Sequence, residues 1–165
     1  MYNAHMKKLM AVLVVIAAAW AAPADGVRSY VGAGAQALLP QGSSRMRHAV
    51  GGAANAGIYL SERIALETEA AWLERYCGLS VRALGHFSLW EEFDLLFGCE
   101  KFDPFFTFGA SGWMRRGQVG PSAGIGAFYY VDDDWALRFD ASATLGLDTR
   151  REMAYSVTLG IQRAF

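Results

Sequence analysis

The sequence has little of several features that would each indicate a different class of protein. It contains only 4 prolines and 2 cysteines in 165 residues, which excludes a proline-rich linker and a disulfide-dense secreted module. Its formal net charge of -1 gives no basic excess of the kind that accompanies nucleic-acid binding. After residue 24 no apolar run approaches the roughly 20 residues of a membrane-spanning helix. What is present is 53% hydrophobic residues, 13% aromatic residues and 18 glycines, a composition that favours strands.

The beginning of the chain has the features of an export signal. A basic pair of lysines precedes the apolar run Leu9–Trp20, which is too short to anchor a protein in a bilayer. Small residues then offer a cleavage site at Ala22–Ala24, with Ala19–Ala21 as the alternative. We therefore predict a signal peptide over residues 1–24 and an exported domain over residues 25–165.

Eight later segments of about ten residues alternate in polarity between turn residues, as is typical of a transmembrane β-barrel. In the third segment, Glu67 and Glu69 share one face, whereas Leu66 and Trp72 share the other, because successive side chains of a strand point to opposite faces. The sequence therefore predicts an all-β, eight-stranded, antiparallel up-and-down barrel. Its predicted strands are Ser29–Leu39, His48–Tyr59, Arg63–Leu73, Leu79–Leu89, Phe105–Met114, Ser122–Val131, Trp135–Leu145 and Ala154–Phe165.

The predicted connections differ between the two ends of these strands. Leu60–Glu62 and Asp132–Asp134 are tight, and the long connection Trp90–Pro104, which has room for a short amphipathic turn, lies at the same end. Short periplasmic turns and longer external loops are typical of outer-membrane barrels, and an even strand number puts both termini at the periplasmic end. The predicted external connections are longer or more basic, and they are Pro40–Arg47, Glu74–Gly78, Arg115–Pro121 and Asp148–Glu152.

Alternation alone does not decide which face of the sheet meets the solvent. A soluble, lipocalin-like ligand-binding barrel would turn the apolar face inward. With the apolar face outward, aromatic residues gather near both strand ends, as at a bilayer interface. Charges on the other face would each cost several kcal/mol in lipid, so we predict that they point inward and pair. The predicted lumen network comprises Glu67, Glu69, Arg82, Arg138 and Asp140, with room made by Gly32, Gly34, Gly124, Gly126 and Gly160.

Turn positions give this network a testable register. A connection centred near Arg75 would place Glu69 opposite Arg82 in an antiparallel pair. A turn centred on Asp133 would place Arg138 opposite Phe128, and Asp140 opposite Gly126.

Several glycine-rich and aromatic pieces occur in an order that resembles a known family. They are Tyr30–Ala35, Phe102–Ala110, Gly124–Tyr129 and Trp135–Asp140, followed by a terminal Phe165. In this order and spacing the chain resembles the OmpA-like eight-stranded outer-membrane β-barrels over nearly its whole exported length. The resemblance implies a location in the outer membrane of a Gram-negative-type bacterium. It also implies that Phe165 is an assembly signal for the barrel-inserting machinery, although Arg163 stands where that signal usually has an apolar or aromatic residue.

One short motif suggests an enzymatic alternative. His86-Phe87-Ser88, with Glu91 and Glu92 after it, is similar to the H-x-S pairing of the lipid A deacylases, in which a His, a Ser and a carboxylate act together. Residues i and i+2 of any strand share a face, so the motif alone is weakly specific. We interpret His86 as a lumen residue that hydrogen-bonds near Glu67. The three histidines suggest no metal site, and we expect no cofactor.

The two cysteines, Cys77 and Cys99, are predicted to lie at opposite ends of the barrel. The apolar band between those ends is about 25 Å tall, whereas a disulfide needs Cα atoms about 5.5 Å apart. We therefore predict that the two thiols are not bonded to each other.

The predicted function is a non-catalytic structural barrel of the cell envelope. An eight-stranded barrel is just wide enough for its own side chains to fill, so we expect no open pore. Bulky inward residues would block it further, and they are Tyr59, Trp113, Phe128 and Tyr130. The expected partners are outer-membrane lipid, the insertion machinery and lipopolysaccharide phosphates, which suit bidentate arginine. The arginines predicted in external connections are Arg45, Arg47, Arg115, Arg116, Arg150 and Arg151.

Overall fold

The computed structural model describes residues 28–41, 47–74, 76–86, 101–114, 118–147 and 152–165. Each strand is hydrogen-bonded to the next in an antiparallel manner, and the last pairs with the first, so the sheet closes into a barrel. Within these ranges no helix is long and apolar enough to cross a membrane. The strands are β1 (Ser29–Pro40), β2 (Ala49–Ser61), β3 (Ile64–Leu73), β4 (Tyr76–His86), β5 (Phe102–Trp113), β6 (Gln118–Tyr130), β7 (Trp135–Leu145) and β8 (Met153–Ala164).

The prediction of an eight-stranded antiparallel barrel is confirmed, but β5 and β6 begin several residues earlier than expected. Pro104 and Pro121, which directly precede the predicted starts of these strands, lie inside β5 and β6, each at a level where one neighbouring strand pairing has ended. The β4–β5 pairing ends at Phe105, just after Pro104, and the β6–β7 pairing begins at Ser122, just after Pro121. A proline is tolerated in a strand where a ladder bond is not required of it.

The connections explain the remaining differences. We call the end of the barrel with both chain termini the lower end, and the other the upper end. At the upper end, Leu73 pairs with Tyr76, so only residues 74 and 75 connect β3 to β4. The predicted loops Glu74–Gly78 and Arg115–Pro121 were therefore too long, because their later residues belong to β4 and β6. Residues 87–100, with most of the predicted long connection, lie outside the described residues.

This tight connection also changes one predicted register. Arg82 lies opposite Glu67, and Glu69 lies opposite Ser80, so the expected Glu69–Arg82 pairing was wrong by two residues. The error follows from centring the turn one residue too late. The second register is confirmed, since Arg138 lies opposite Phe128 and Asp140 lies opposite Gly126.

The strands are strongly tilted. Following paired residues once around the barrel from Pro40, through β8, β7 and the remaining strands, returns to Tyr30 on the same strand, a stagger of ten residues. For eight strands this stagger corresponds to a tilt of roughly 40°. Because of this tilt, two directly paired residues lie at slightly different heights along the barrel axis. Inward side chains from all eight strands can therefore pack between one another in the lumen.

Burial is inverted with respect to a soluble protein. The most exposed strand residues include Ile125 at 66%, Phe108 at 65% and Leu159 at 64%, whereas Glu67 is 0% and Arg82 is 2% exposed. Apolar side chains thus cover the outside and charged ones occupy the centre. This is the arrangement of a transmembrane barrel and the opposite of the lipocalin-like alternative.

Candidate functional site

The lumen holds an ionic cluster centred on Glu67. From β4, Arg82 Nη2 lies 2.7 Å from Glu67 Oε1, and from β7, Arg138 Nη2 lies 3.0 Å from the same oxygen. Arg138 Nη1 bonds Glu67 Oε2, which also accepts hydrogen bonds from Tyr30 OH and Asn55 Nδ2, both at 2.9 Å. A carboxylate with donors from four strands besides its own fixes those strands relative to one another.

The two arginines connect this centre to the other predicted acids. Arg82 Nη2 lies 2.8 Å from Glu69 Oε2, and its Nη1 lies 3.3 Å from Asp140 Oδ1. Arg138 Nη2 donates to Asp140 Oδ2 at 2.9 Å. All five residues predicted from the sequence thus lie in one cluster, each at most 5% exposed. The cluster contains three carboxylates and two guanidinium groups.

Aromatic rings fill the lumen below the ionic cluster. Phe105 and Phe128 stack with their centroids 4.6 Å apart, and the Arg138 guanidinium lies 5.3 Å and 5.5 Å from their centroids. Tyr30 and Tyr59 are also in ring contact, at 5.4 Å. The arginine is therefore held between carboxylates above and π-faces below, and both stabilise its buried positive charge.

His86 is a lumen residue, as expected, but its partner is not Glu67. Its Nδ1 lies 2.7 Å from Asp103 Oδ2, which also accepts a hydrogen bond of 3.2 Å from Tyr130 OH. The prediction missed this contact because it placed Asp103 in a connection, whereas β5 begins at Phe102. Ser88, Glu91 and Glu92, which the deacylase-like alternative needs, lie outside the described residues.

Three members of the lumen network were not predicted. Tyr30 and Asn55 bind Glu67, and Gln36 Nε2 donates to Glu69 Oε1 at 3.0 Å and to Thr158 Oγ1 at 3.1 Å. The sequence did contain a signal for them, because each stands at one of the alternate positions of β1 or β2 whose side chains point inward. Both strands are so rich in glycine and alanine that the alternation is faint there.

The predicted role of the inward glycines needs correction. A Cβ on Gly126 would lie 2.3 Å from Phe105 Cζ, and one on Gly32 would lie 2.5 Å from Asn55 Oδ1. The space is thus occupied by an aromatic ring and an amide rather than by the charged side chains. At Gly34, Gly124 and Gly160 a Cβ would instead meet the backbone of an adjacent strand.

Arg163, which departs from the terminal pattern of the family that the sequence resembles, lies on the outer rim of the lower end. Arg163 extends along the outside, with its guanidinium carbon 5.4 Å from the Trp135 centroid and 5.2 Å from the Phe165 centroid. Phe165 is tied to the start of β1 by backbone hydrogen bonds with Ser29. Two aromatic faces thus accommodate the charge at the level where a bilayer interface would lie.

Other predicted residues fall partly outside the described ranges. Cys77 is a free thiol near the upper end of β4, whereas Cys99 lies outside those ranges. Arg47 is exposed at the upper end. The other arginines proposed to contact lipopolysaccharide lie outside the described residues. Among the described residues, no group of three His, Cys, Asp or Glu side chains is arranged to hold a metal ion.

Comparison with known proteins establishes the fold. No protein-family model matches the sequence, and no curated protein is similar to it at a significant level. Among solved structures, the N-terminal β-barrel domain of Pseudomonas aeruginosa OprF is 14% identical, with a TM-score of 0.58 over 82% of this chain and 97% of that one. Ail, the attachment invasion locus protein of Yersinia pestis, is 11% identical, with a TM-score of 0.59 over 84% and 98%.

Neisserial surface protein A is 12% identical, with a TM-score of 0.63 over 86% of this chain and all of that one. At these identities the likeness is one of fold. The chain has the fold of the eight-stranded outer-membrane β-barrels, as the resemblance in its sequence indicated.

Proposed function

We propose that this protein is a non-catalytic structural barrel of the outer membrane of a Gram-negative-type bacterium. The observation that carries the proposal is the inverted burial: an apolar exterior surrounds a buried ionic cluster whose charges are paired across the barrel axis. Such an exterior would be costly in water and is stable in hydrocarbon. Such an interior supplies rigidity, because its contacts join strands that are not neighbours.

The contents of the lumen support a structural role over a transport role. Five ionic residues and the stacked rings of Phe105 and Phe128 occupy its centre and lower half, and all of them are buried. An open path for ions or solutes would need these paired groups to separate. We therefore expect no steady conductance.

The surroundings of His86 support a structural role for this residue as well. Its Nδ1 is bound to Asp103 and its ring stacks on Phe128, with centroids 5.9 Å apart. It lies inside the lower end, whereas the lipid A that a deacylase would act on lies in the outer leaflet. The lipid A-modifying alternative therefore receives no support from the position of His86.

The expected partners follow from the exterior. Membrane lipid would cover the apolar belt, and the Arg163–Trp135–Phe165 contact suits the headgroup level of the lower leaflet. Lipopolysaccharide phosphates would meet Arg47, which is exposed at the upper end, and the arginines that the sequence predicts in the other external connections. In this proposal Phe165 presents the assembly signal to the insertion machinery, and the lower end faces the periplasm.

The first test combines fractionation with a folding assay. We expect the protein in the outer-membrane fraction, and we expect it to migrate faster on a detergent gel before boiling than after, because a closed barrel resists detergent until heated. The folded protein in a planar bilayer should give no steady current. Recovery in the aqueous fraction, or a stable conductance, would contradict the proposal.

A second test addresses catalysis. Lipid A from cells that overproduce the protein should have the same mass spectrum as lipid A from cells that carry Ser88→Ala or the empty vector. Loss of an acyl chain with the natural sequence, restored by Ser88→Ala, would establish the enzymatic alternative instead.

A further inference from the structure

One level of the lumen, directly above the ionic cluster, is lined almost entirely by small side chains. The stagger of the barrel brings one inward residue from each strand to this level. We call the set the serine ring, and it comprises Gln36, Ala53, Ala71, Ser80, Ser111, Ser122, Ser142 and Ser156.

The serine ring leaves room that larger residues would fill. An eight-stranded barrel is filled when its inward positions have side chains of ordinary size, and here seven of the eight are serine or alanine. Ser80 points inward between the buried Glu69 and Ser111, yet it is partly exposed. A space large enough for a water molecule therefore lies inside the barrel beside Ser80.

Two oxygen atoms at this level have no hydrogen-bond partner among the described residues. Gln36 Oε1 and Ser122 Oγ are buried, on residues that are each 3% exposed, and neither has a hydrogen-bond partner among the described residues. Ser142 and Ser156, in contrast, are bonded to each other at 2.8 Å. Buried polar atoms are almost always satisfied, so each of these two oxygens indicates a bound water molecule or ion.

The ionic cluster supplies the charge of that species. Glu67, Glu69 and Asp140 carry three negative charges against the two positive charges of Arg82 and Arg138. Glu67 accepts hydrogen bonds from four residues, whereas Glu69 accepts from two, Arg82 and Gln36, among the described residues. Glu69 also lies higher on β3, opposite Ser80 of the serine ring. An unbalanced charge in a low-dielectric interior is costly unless it is neutralised.

We propose that the serine ring and Glu69 bind one monovalent alkali cation, of the size of sodium, as the counter-charge of the ionic cluster. The available ligands are a carboxylate, an amide oxygen and serine hydroxyls, and hard cations prefer such all-oxygen sites. The cation is bound rather than conducted, because the aromatic rings below close the lumen. The proposal needs only the barrel and its lumen, so it does not depend on the proposed function.

The test compares thermal unfolding of the folded barrel in sodium chloride and in choline chloride at equal concentration. Choline is too large for the ring and keeps the ionic strength constant. We expect the midpoint of the heat-dependent gel shift to be higher in sodium by at least about 3 °C and to saturate with sodium concentration. Equal midpoints in the two salts would overturn the proposal.

Three variants identify the site. Glu69→Gln leaves two acids for two arginines, so its midpoint should be the same in both salts. Glu62→Gln, its matched control in the exposed β2–β3 connection, should keep the full sodium effect. Ser122→Ala removes one oxygen without changing the charge, so it should need several-fold more sodium for half of the effect, and it reports on the site even if Glu69→Gln does not fold.

The other outcomes are also decisive. A full sodium effect in Glu69→Gln would place the cation elsewhere and contradict the site. No sodium effect in the natural protein, together with a choline midpoint that rises on acidification, would show that a proton neutralises the cluster instead. A heat-dependent gel shift without a sodium effect would refute only this inference, whereas absence of the gel shift would refute the proposed function.

Discussion

The lower and upper halves of the lumen are built by the same eight strands and differ in how they are filled. The lower half contains the ionic cluster and large rings such as Phe105, Phe128 and Tyr30, all fully buried. The upper half contains the serine ring, closed above by an apolar cap of Leu38, Leu73, Tyr76 and Trp113. Charged and aromatic contacts between distant strands are thus concentrated in the lower half, whereas the serine ring is lined by small groups.

This difference indicates where stability resides. In the lower half, each group has charged or aromatic neighbours from several strands, so removing one leaves others unsatisfied. At the serine ring, small side chains have fewer contacts to lose. Substitutions should therefore have large effects at the ionic cluster and its aromatic neighbours, and small effects at the serine ring.

The largest effect is expected for Glu67→Ala. The change removes the carboxylate that both Arg82 and Arg138 bind, so buried guanidinium donors lose their acceptors although two acids remain for two arginines. The loss in free energy of unfolding should be about 3–5 kcal/mol. Urea unfolding of the barrel in phospholipid vesicles measures it. Glu62→Ala, at an exposed position, should change stability by less than about 0.5 kcal/mol. Equal stability of the two variants would contradict a central role for Glu67.

Phe128→Ala should come next, with a loss of about 3 kcal/mol in the same assay. The ring is fully buried against Phe105, and its removal leaves a cavity that the closed sheet cannot collapse. Phe108→Ala on the outer face, where the ring is 65% exposed, is the control and should lose clearly less. Similar losses for the two variants would show that the lower half is not tightly packed.

Gly57→Ala tests the same packing by adding an atom. A Cβ at this position would lie 2.3 Å from Tyr30 Cζ, so the tyrosine must move from its hydrogen bond with Glu67. We expect a loss of about 1–3 kcal/mol by urea unfolding. A neutral result would mean that the ring of Tyr30 has room to shift.

Ser80→Val should have the smallest effect, although it adds more volume than Gly57→Ala. Ser80 points into the accessible space of the serine ring, and valine is favourable in strands. In choline chloride, where the proposed sodium site is empty, the change in free energy of unfolding should stay below about 1 kcal/mol. A loss as large as that of Gly57→Ala would show that the serine ring is as full as the lower half, and would remove the contrast.

The fold could be predicted because alternation is strong where charged and apolar residues face opposite sides. In β3 and β7, an acidic or basic residue in lipid would be prohibitive, so Glu67 and Arg138 alone determine which face is inward. The ionic cluster followed from the same argument. Predicting the cluster needed only the inward or outward direction of each side chain and an approximate strand register. An arginine side chain is long enough to reach its partner even when the predicted register is wrong by two residues.

The other contacts depend on loop lengths and strand boundaries, which the alternation of polar and apolar residues does not determine. The pairing of Arg82 with Glu67 required the length of the β3–β4 connection, and the His86–Asp103 contact required knowing that β5 continues through Pro104. The serine ring depends on the stagger of the whole barrel. Serines far apart in sequence come to one level only when all eight registers are known.

The pairing of β1 with β8 has a consequence for how this molecule is made. Until β8 arrives, more than a hundred residues after β1, the first strand has one unpaired edge, and unpaired backbone groups are not tolerated in hydrocarbon. A partly assembled sheet therefore has no stable place inside the bilayer. Closure of this seam, rather than the addition of any single hairpin, should be the committing step of insertion.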